Sequence, residues 1–243
     1  MPRACIHFVA LGFLILALAA SDRARPGAAV FRAPRDSVKL EIADRQWAPG
    51  APLEGWCGEA SIQMAALYYG AWIPQAVINR AGRPKTPDLW ETDVSAAMQA
   101  LGLRFEAWSG GSNPSEALDW TVRALRRGHP VILGVKVYPT EHADWDVDHL
   151  VLAVGFEPKG LVLNTNWGDR QLTWPWVALQ EAKHGYSLAG PKGKVFAWEV
   201  TGFEEEEGAL RTGSRSLART RPASTSTCAA AASPLARPIG LGV

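Results

Sequence analysis

The sequence predicts an α+β domain, with helices filling its first half and antiparallel strands its second. Two observations carry this. Apolar residues recur at helical spacing as far as about Arg127, in segments that end at glycines. From Pro130 onward the apolar runs become short and β-branched, bounded by Gly, Pro, Asn and Asp. No stretch of the chain repeats another.

Taken in order, Arg45 to Glu54 carries Pro and Gly and reads as a loop. A helix runs from Cys57 to Tyr69, with Ile62, Ala65, Ala66 and Tyr69 on one face and Gly70 as its stop. "PQAVINRAG" gives a second helix, with Pro74 in the first turn and a glycine at the end. "ETDVSAAMQALG" gives a third, stopped by Gly102, and Leu103 to Trp108 alternates like a strand. Ser112 to Glu116 is a helix start, and that helix runs to Arg127 with Gly128 beyond it. "PVILGVKV" and "VDHLVLAVGF" are strands. The turn signal Glu157-Pro158-Lys159-Gly160 joins the second of these to "LVLNTNW" as a hairpin with a four-residue loop. Pro175 opens a short helix, and "KVFAWEV" is the last strand.

The ends differ from this middle. Residues 1–20 read as a secretory signal: Arg3, the apolar run Ile6 to Ala19, and Ala17-Leu18-Ala19 as a small-x-small cleavage pattern. The run is shorter than the roughly 20 apolar residues a membrane span needs, so no lasting membrane insertion is expected once it is cut. The protein is expected to be secreted or periplasmic. Residues 21–37 form a linker and 38–203 the folded domain. Residues 204–243 form a disordered tail, because their Ser, Thr, Ala, Arg and Pro offer too little apolar surface to offset ordering entropy. The net charge is +1 and the basic residues do not gather on one element, so nucleic acid is not expected as a partner.

Of three cysteines, Cys5 leaves with the signal and Cys228 lies in the tail. Cys57 is then the lone thiol of an exported domain, where paired cysteines are usual. It stands in Gly55-Trp56-Cys57-Gly58, where a helix begins. Unpaired N–H groups and the helix dipole at such a place stabilise a thiolate and lower its pKa. Gly58 beside it leaves room for close approach of a substrate backbone. A nucleophile also needs a base and a group to orient that base. His129 precedes a proline at a helix-to-strand junction and reads as a turn residue. His142 lies in an acidic loop and His184 near a helix end. His149 alone lies in an apolar strand, where an imidazole needs a partner. Asn164 and Asn166 lie on the paired strand two residues apart, on one face, and either could accept a bond from His149 Nδ1–H. Cys on a helix start, His on a strand and Asn on its neighbour is the order of acyl-transfer enzymes.

The stretches "GWCGEASIQMAALYYG" and "DHLVLAVGFEPKGLVLNTNWG" resemble the papain-like cysteine peptidase superfamily, above all its bacteriocin-processing (double-glycine leader) branch and secreted relatives. The resemblance covers about Gln46 to Gly168. It implies a papain-like fold, with the nucleophile at a helix N-terminus packed on an antiparallel sheet. Cys57 would be the nucleophile and His149 the base, with Asn164 or Asn166 orienting it and Asn164 favoured. An ungapped match to the family's Asn-Ser-Trp-Gly puts the orienting position on Thr165. Gln46 would supply a side-chain amide to the oxyanion, although it stands farther from the cysteine than the family's pattern places it.

The resemblance further implies a secreted cysteine peptidase that hydrolyses peptide bonds through a thioester acyl-enzyme, with a peptide or protein as substrate. No cofactor or metal is expected. Cell-wall amidohydrolases and transglutaminase-like acyltransferases share the order of residues, and an inactive peptidase-like binding domain would keep the fold alone. Glu141 to Asp148 alternates carboxylates but lacks the glycines of a calcium loop and reads as a solvated acidic loop. Trp56 and Trp167 flank the candidate Cys and Asn as water shields. Trp174 and Trp176 are either core or cleft.

Overall fold

A computed structural model describes residues 31–51, 55–138, 147–167, 171–181, 185–189 and 193–204. Residues 1–20, expected as a signal, residues 205–243 of the expected tail, His142, His184 and most of the acidic loop lie outside the described residues.

In chain order the elements are β1 (Val38–Lys39), α1 (Cys57–Tyr68), α2 (Gln75–Gly82), α3 (Glu91–Ala100), β2 (Leu103–Ala107), α4 (Pro114–Arg126), β3 (Val131–Tyr138), β4 (Val147–Glu157), β5 (Gly160–Asn164), β6 (Leu172–Pro175), α5 (Trp176–Gln180), β7 (Gly185–Ser187) and β8 (Ala197–Phe203). The eight strands form one sheet in the order β2-β8-β3-β4-β5-β6, with β1 on β4 and β7 on β3, and every pairing is antiparallel. The chain is therefore α+β, as its periodicities predict.

α1 is buried from Cys57 to Ala66 without a break. A helix apolar on all sides is a core helix, and here it packs against β4, α2 and α3. α4 is amphipathic instead. Asn113 caps it by accepting from Ser115 N–H at 3.0 Å and donating to Glu116 at 2.9 Å, with Pro114 at the first position.

Three short strands, β1, β6 and β7, lack the run length that signals a strand and were not expected. The hairpin loop is also tighter than expected. Glu157 pairs with Gly160, leaving only Pro158 and Lys159 between the strands, because Gly160 sits flush against the backbone of Trp174 and joins the ladder. Packing starts earlier than Val38: Phe31 is buried, with its ring 4.9 Å from that of Trp176, and Asp36 pairs with Arg126 at 2.6 Å. Trp176 is core, and Trp174 packs edge-on against Tyr186.

His129 does more than turn the chain. With Arg127 it grips the buried Glu199 of β8, each at 2.5 Å, and ties the end of α4 to the sheet. Among the described residues, no helix is long and apolar enough to cross a membrane.

Candidate active site

Cys57 is the first residue of α1, and no side chain caps that helix end. The thiol is free and 9% exposed. Backbone hydrogen bonds at Leu150 and Gly58 act on the sulfur and favour its thiolate. Burial opposes them and is the larger effect. The nearby charges of Glu59 and Asp88 add to it, and the thiol is pushed up to about 12. The expected lowering by the helix N-terminus is thus overturned. A terminal dipole shifts a pKa by roughly one unit, whereas full desolvation shifts it by several.

The bond at Leu150 brings the sulfur to the residue that follows His149 in β4. His149 is buried, and its Nε2 lies 2.9 Å from the main-chain oxygen of Thr165. A carbonyl only accepts, so Nε2 carries the proton and the neutral ring has its lone pair on Nδ1. Burial lowers the imidazole to about 4, against a smaller upward effect of the Thr165 bond, so the ring is neutral across the physiological range. The ring lies 5.0 Å from that of Trp167, which stacks on Trp47 at 5.8 Å. Trp167 shields the histidine as expected. Trp56 instead donates to the Pro87 carbonyl at 3.1 Å.

The sequence pointed to an asparagine side chain at His149 Nδ1. The structure has a backbone carbonyl at Nε2. Thr165 is the residue the ungapped match selects, but its main chain meets the ring. β5 ends at Asn164, and Asn166 takes a left-handed φ of 51°, so the chain turns here instead of continuing as a strand.

The two asparagines therefore part company. Asn164 donates to Ile42 O and Met64 Sδ and accepts from Gln171. Asn166 joins three segments. Its Nδ2 lies 2.8 Å from Leu150 O, 3.2 Å from Ser61 Oγ and 3.4 Å from Cys57 O. Its Oδ1 accepts from Trp47 Nε1 at 3.0 Å, and its N–H donates to Asp44. It holds the main chains of the cysteine and histidine segments together.

Gln46 sends its amide to Asp44 at 3.3 Å, while its carbonyl accepts from Gln75. It lines a cleft of about 530 Å³ with Arg45, Trp47, Trp56 and Trp72. Gly58 does not serve close approach of a substrate. A Cβ there would meet Leu150 at 3.0 Å and Leu89 at 3.2 Å, so its bareness serves internal packing. Gly55, with φ of 88°, does have such a role inside the fold: the Trp47 ring occupies the space a Cβ would need. Among the described residues, no three His, Cys, Asp or Glu side chains gather as metal ligands would.

No family model and no curated protein matches the sequence. Among solved structures, several are similar to it over part of its length. Its structural neighbours are C39-like peptidases and double-glycine peptidase domains. A C39-like peptidase from Bacillus anthracis is 12% identical, with a TM-score of 0.48, over 70% of this chain and 100% of the other. The peptidase domain of Streptococcus ComA, a bifunctional ABC transporter, is 12% identical at 0.44, over 65% and 97%. A double-glycine motif protease from a PCAT transporter, solved with its leader peptide, is 16% identical at 0.43, over 68% and 95%. At these values no residue's role passes from them to this chain.

Sequence reasoning missed Glu59, which is fully buried and pushed up to about 7, chiefly by desolvation. Its signal was legible: a carboxylate in a helix whose neighbours Ala60, Ile62 and Met64 are apolar all round.

Glu59 and His149 oppose each other in pH-dependent stability. Glu59 holds its proton in the fold from its ordinary 4.5 up to about 7, so its contribution grows as pH falls through that window. His149 resists protonation from its ordinary 6.5 down to about 4, so its contribution is lost as pH falls. Each effect is on the order of 3 kcal/mol, and they nearly cancel where they overlap. Denaturant unfolding against pH is expected to uncover each in turn. His149→Gln, left with the Glu59 effect alone, should gain stability as pH falls below 7. Glu59→Gln should lose it as pH falls below 6.5. Parallel curves for all three proteins would show that the two groups titrate at ordinary values.

Proposed function

We propose that this chain is a cysteine peptidase of papain-like fold, secreted or periplasmic through residues 1–20 as its signal, with Cys57 as nucleophile and His149 as base. One observation carries the reading. The imidazole is held through Nε2 by Thr165 O at 2.9 Å, in the tautomer that leaves Nδ1 basic, while the Cys57 sulfur is bonded at the backbone of the next residue.

The resting pair is a neutral thiol and a neutral imidazole, because burial disfavours both ions. The proton of Cys57 Sγ moves to His149 Nδ1 as the sulfur attacks the scissile carbonyl carbon. The oxyanion that forms faces the N–H of Cys57 at the start of α1. Collapse breaks the C–N bond, and Nδ1–H gives its proton to the leaving amine. Water, deprotonated by the same nitrogen, then hydrolyses the thioester, and Nδ1–H returns its proton to the departing sulfur. Throughout, Nε2–H stays on Thr165 O, which also stabilises the transient imidazolium. Gln46 would join the oxyanion site only by exchanging Asp44 for the substrate.

Burial of the sulfur favours a second reading, a peptidase-like binding module with an inert thiol. Labelling separates the two. With iodoacetamide at neutral pH, the purified protein is expected to be modified at Cys57, mapped by mass spectrometry, and the rate should fall at least about tenfold in His149→Ala. A rate no faster than that of a free thiol and unchanged by His149→Ala would establish the binding module. Assays on peptide and on peptidoglycan then distinguish a peptidase from a cell-wall amidohydrolase.

A further inference from the structure

Glu59 lies two residues beyond Cys57 on α1 and is fully buried. Its Oε1 accepts from Leu89 N–H at 3.0 Å and from Asn79 Nδ2 at 2.7 Å. Its Oε2 is buried and has no hydrogen-bond partner among the described residues. Leaving a carboxylate oxygen dry and unpaired is costly, and a helix packed on all sides has no structural need for a charge at this point.

The chain that Glu59 grips is the 83–90 strap between α2 and α3. It is tied down a second time two residues earlier, where Pro87 O accepts from Asn79 at 3.0 Å and from Trp56 at 3.1 Å. Leu89 packs directly over Gly58. The strap therefore forms a wall beside the first turn of α1, where the thiol is, and Glu59 bonds its main chain from inside that turn.

We propose that Glu59 is a positioning residue of the catalytic cleft: its carboxyl pins the 83–90 strap onto the first turn of α1, and its charge, carried on the same turn as the sulfur, restrains the reactivity of Cys57 until it is neutralised. This rests on Cys57 being the reacting thiol. The charged and titratable groups facing Glu59 are few. The strap contributes Asp88 and its own helix Cys57, both in electrostatic contact with it. α2 presents the neutral Asn79, and β4 presents the apolar Leu150 next to Gly58. Among the described residues, two carboxylates and no cation thus act on the thiol from this side, so removing the charge of Glu59 eases ionisation of Cys57.

Two variants of the full chain separate pin from charge. Glu59→Gln keeps an oxygen for Leu89 N–H and Asn79 but carries no charge. Glu59→Ala keeps neither. By hydrogen exchange read by mass spectrometry, the 83–90 segment is expected to exchange about tenfold faster in Glu59→Ala, the loss of a hydrogen bond or more, and at near-parental rate in Glu59→Gln. The rate of Cys57 alkylation by iodoacetamide, followed from pH 5 to 9, is expected to rise several-fold above pH 7 in Glu59→Gln and to lose an inflection near 7 that the parent shows. Parental exchange in Glu59→Ala, or a Glu59→Gln profile that overlays the parent's, overturns the proposal. If Glu59→Ala does not fold, Glu59→Leu, which fills the space without an acceptor, replaces it in the exchange experiment, with faster exchange of the strap expected and parental exchange again overturning the pin. The peptidase reading fails by a different result: alkylation that is slow in the parent and indifferent to His149→Ala, with strap exchange still dependent on residue 59.

Discussion

Cys57→Ala is expected to abolish peptide hydrolysis, by about 10⁴-fold or more in kcat, while the protein still unfolds cooperatively with a loss of about 1 kcal/mol. His149→Ala should cost turnover on the same scale, and the double variant little more than either single one, because sulfur and imidazole act as a unit. Full activity in Cys57→Ala ends the reading. The pH profile adds an independent check. Burial holds the imidazole neutral down to about 4, and the base works only when neutral. The acid limb of kcat/KM is therefore expected near 4, well below the usual histidine range. A limb at the ordinary histidine value would mean that water reaches the ring in the free enzyme.

The other large effect is expected at Asn166. Its amide bonds to Leu150 O, Ser61 Oγ and Trp47 Nε1 all lie between segments far apart in the sequence. Alanine there leaves the Trp47 indole N–H unpaired, at about 1–3 kcal/mol, and removes one of the two side-chain donors to Leu150 O, which Ser61 Oγ also reaches at 3.3 Å. It also puts a Cβ-bearing residue without local hydrogen bonding into a left-handed conformation, for about 1 kcal/mol more. Asn166→Ala is expected to lose about 3 kcal/mol or more in denaturant unfolding and most of its turnover. Asn166→Gly separates the causes. It tolerates the φ of 51° but lacks the amide, so it should recover only the smaller, conformational part. If Asn166→Gly restores both stability and activity, the amide network does not hold the cysteine and histidine segments together.

The parts of this site differ in how legible they were. Cys57 at a helix start and His149 in an apolar strand could be read directly, because a 3.6-residue period and a β-branched run are local facts. The orienting group could not. The ungapped match to the family's Asn-Ser-Trp-Gly selected Thr165, but a threonine side chain is a weaker acceptor than an asparagine amide, and the neighbouring asparagines drew the assignment. The group that meets the ring is a main-chain carbonyl, which every residue has and no sequence motif marks. Asn164 and Asn166 are equivalent under strand alternation, and one left-handed residue after β5 sends their amides to different partners. Gly58 and Trp47 follow the same rule. In the sequence the glycine reads as room for substrate and the tryptophan as part of a loop. Only the packing of Leu89 and Leu150 on Gly58, and of Trp167 and Gly55 against Trp47, gives them their roles.

By itself the sequence determined the α+β order of helices before strands, and placed Cys57 at a helix start and His149 in a strand. The tertiary structure decided which nitrogen of His149 is anchored and by what, that Asn166 links the two segments, and that Cys57, Glu59 and His149 are all neutral-favouring at rest. The physical reason is range. Periodicity and end signals act over a few residues and are written in the chain. Desolvation and cross-chain hydrogen bonds arise from neighbours brought in from far along it, as Asp44 is brought 122 positions to meet Asn166.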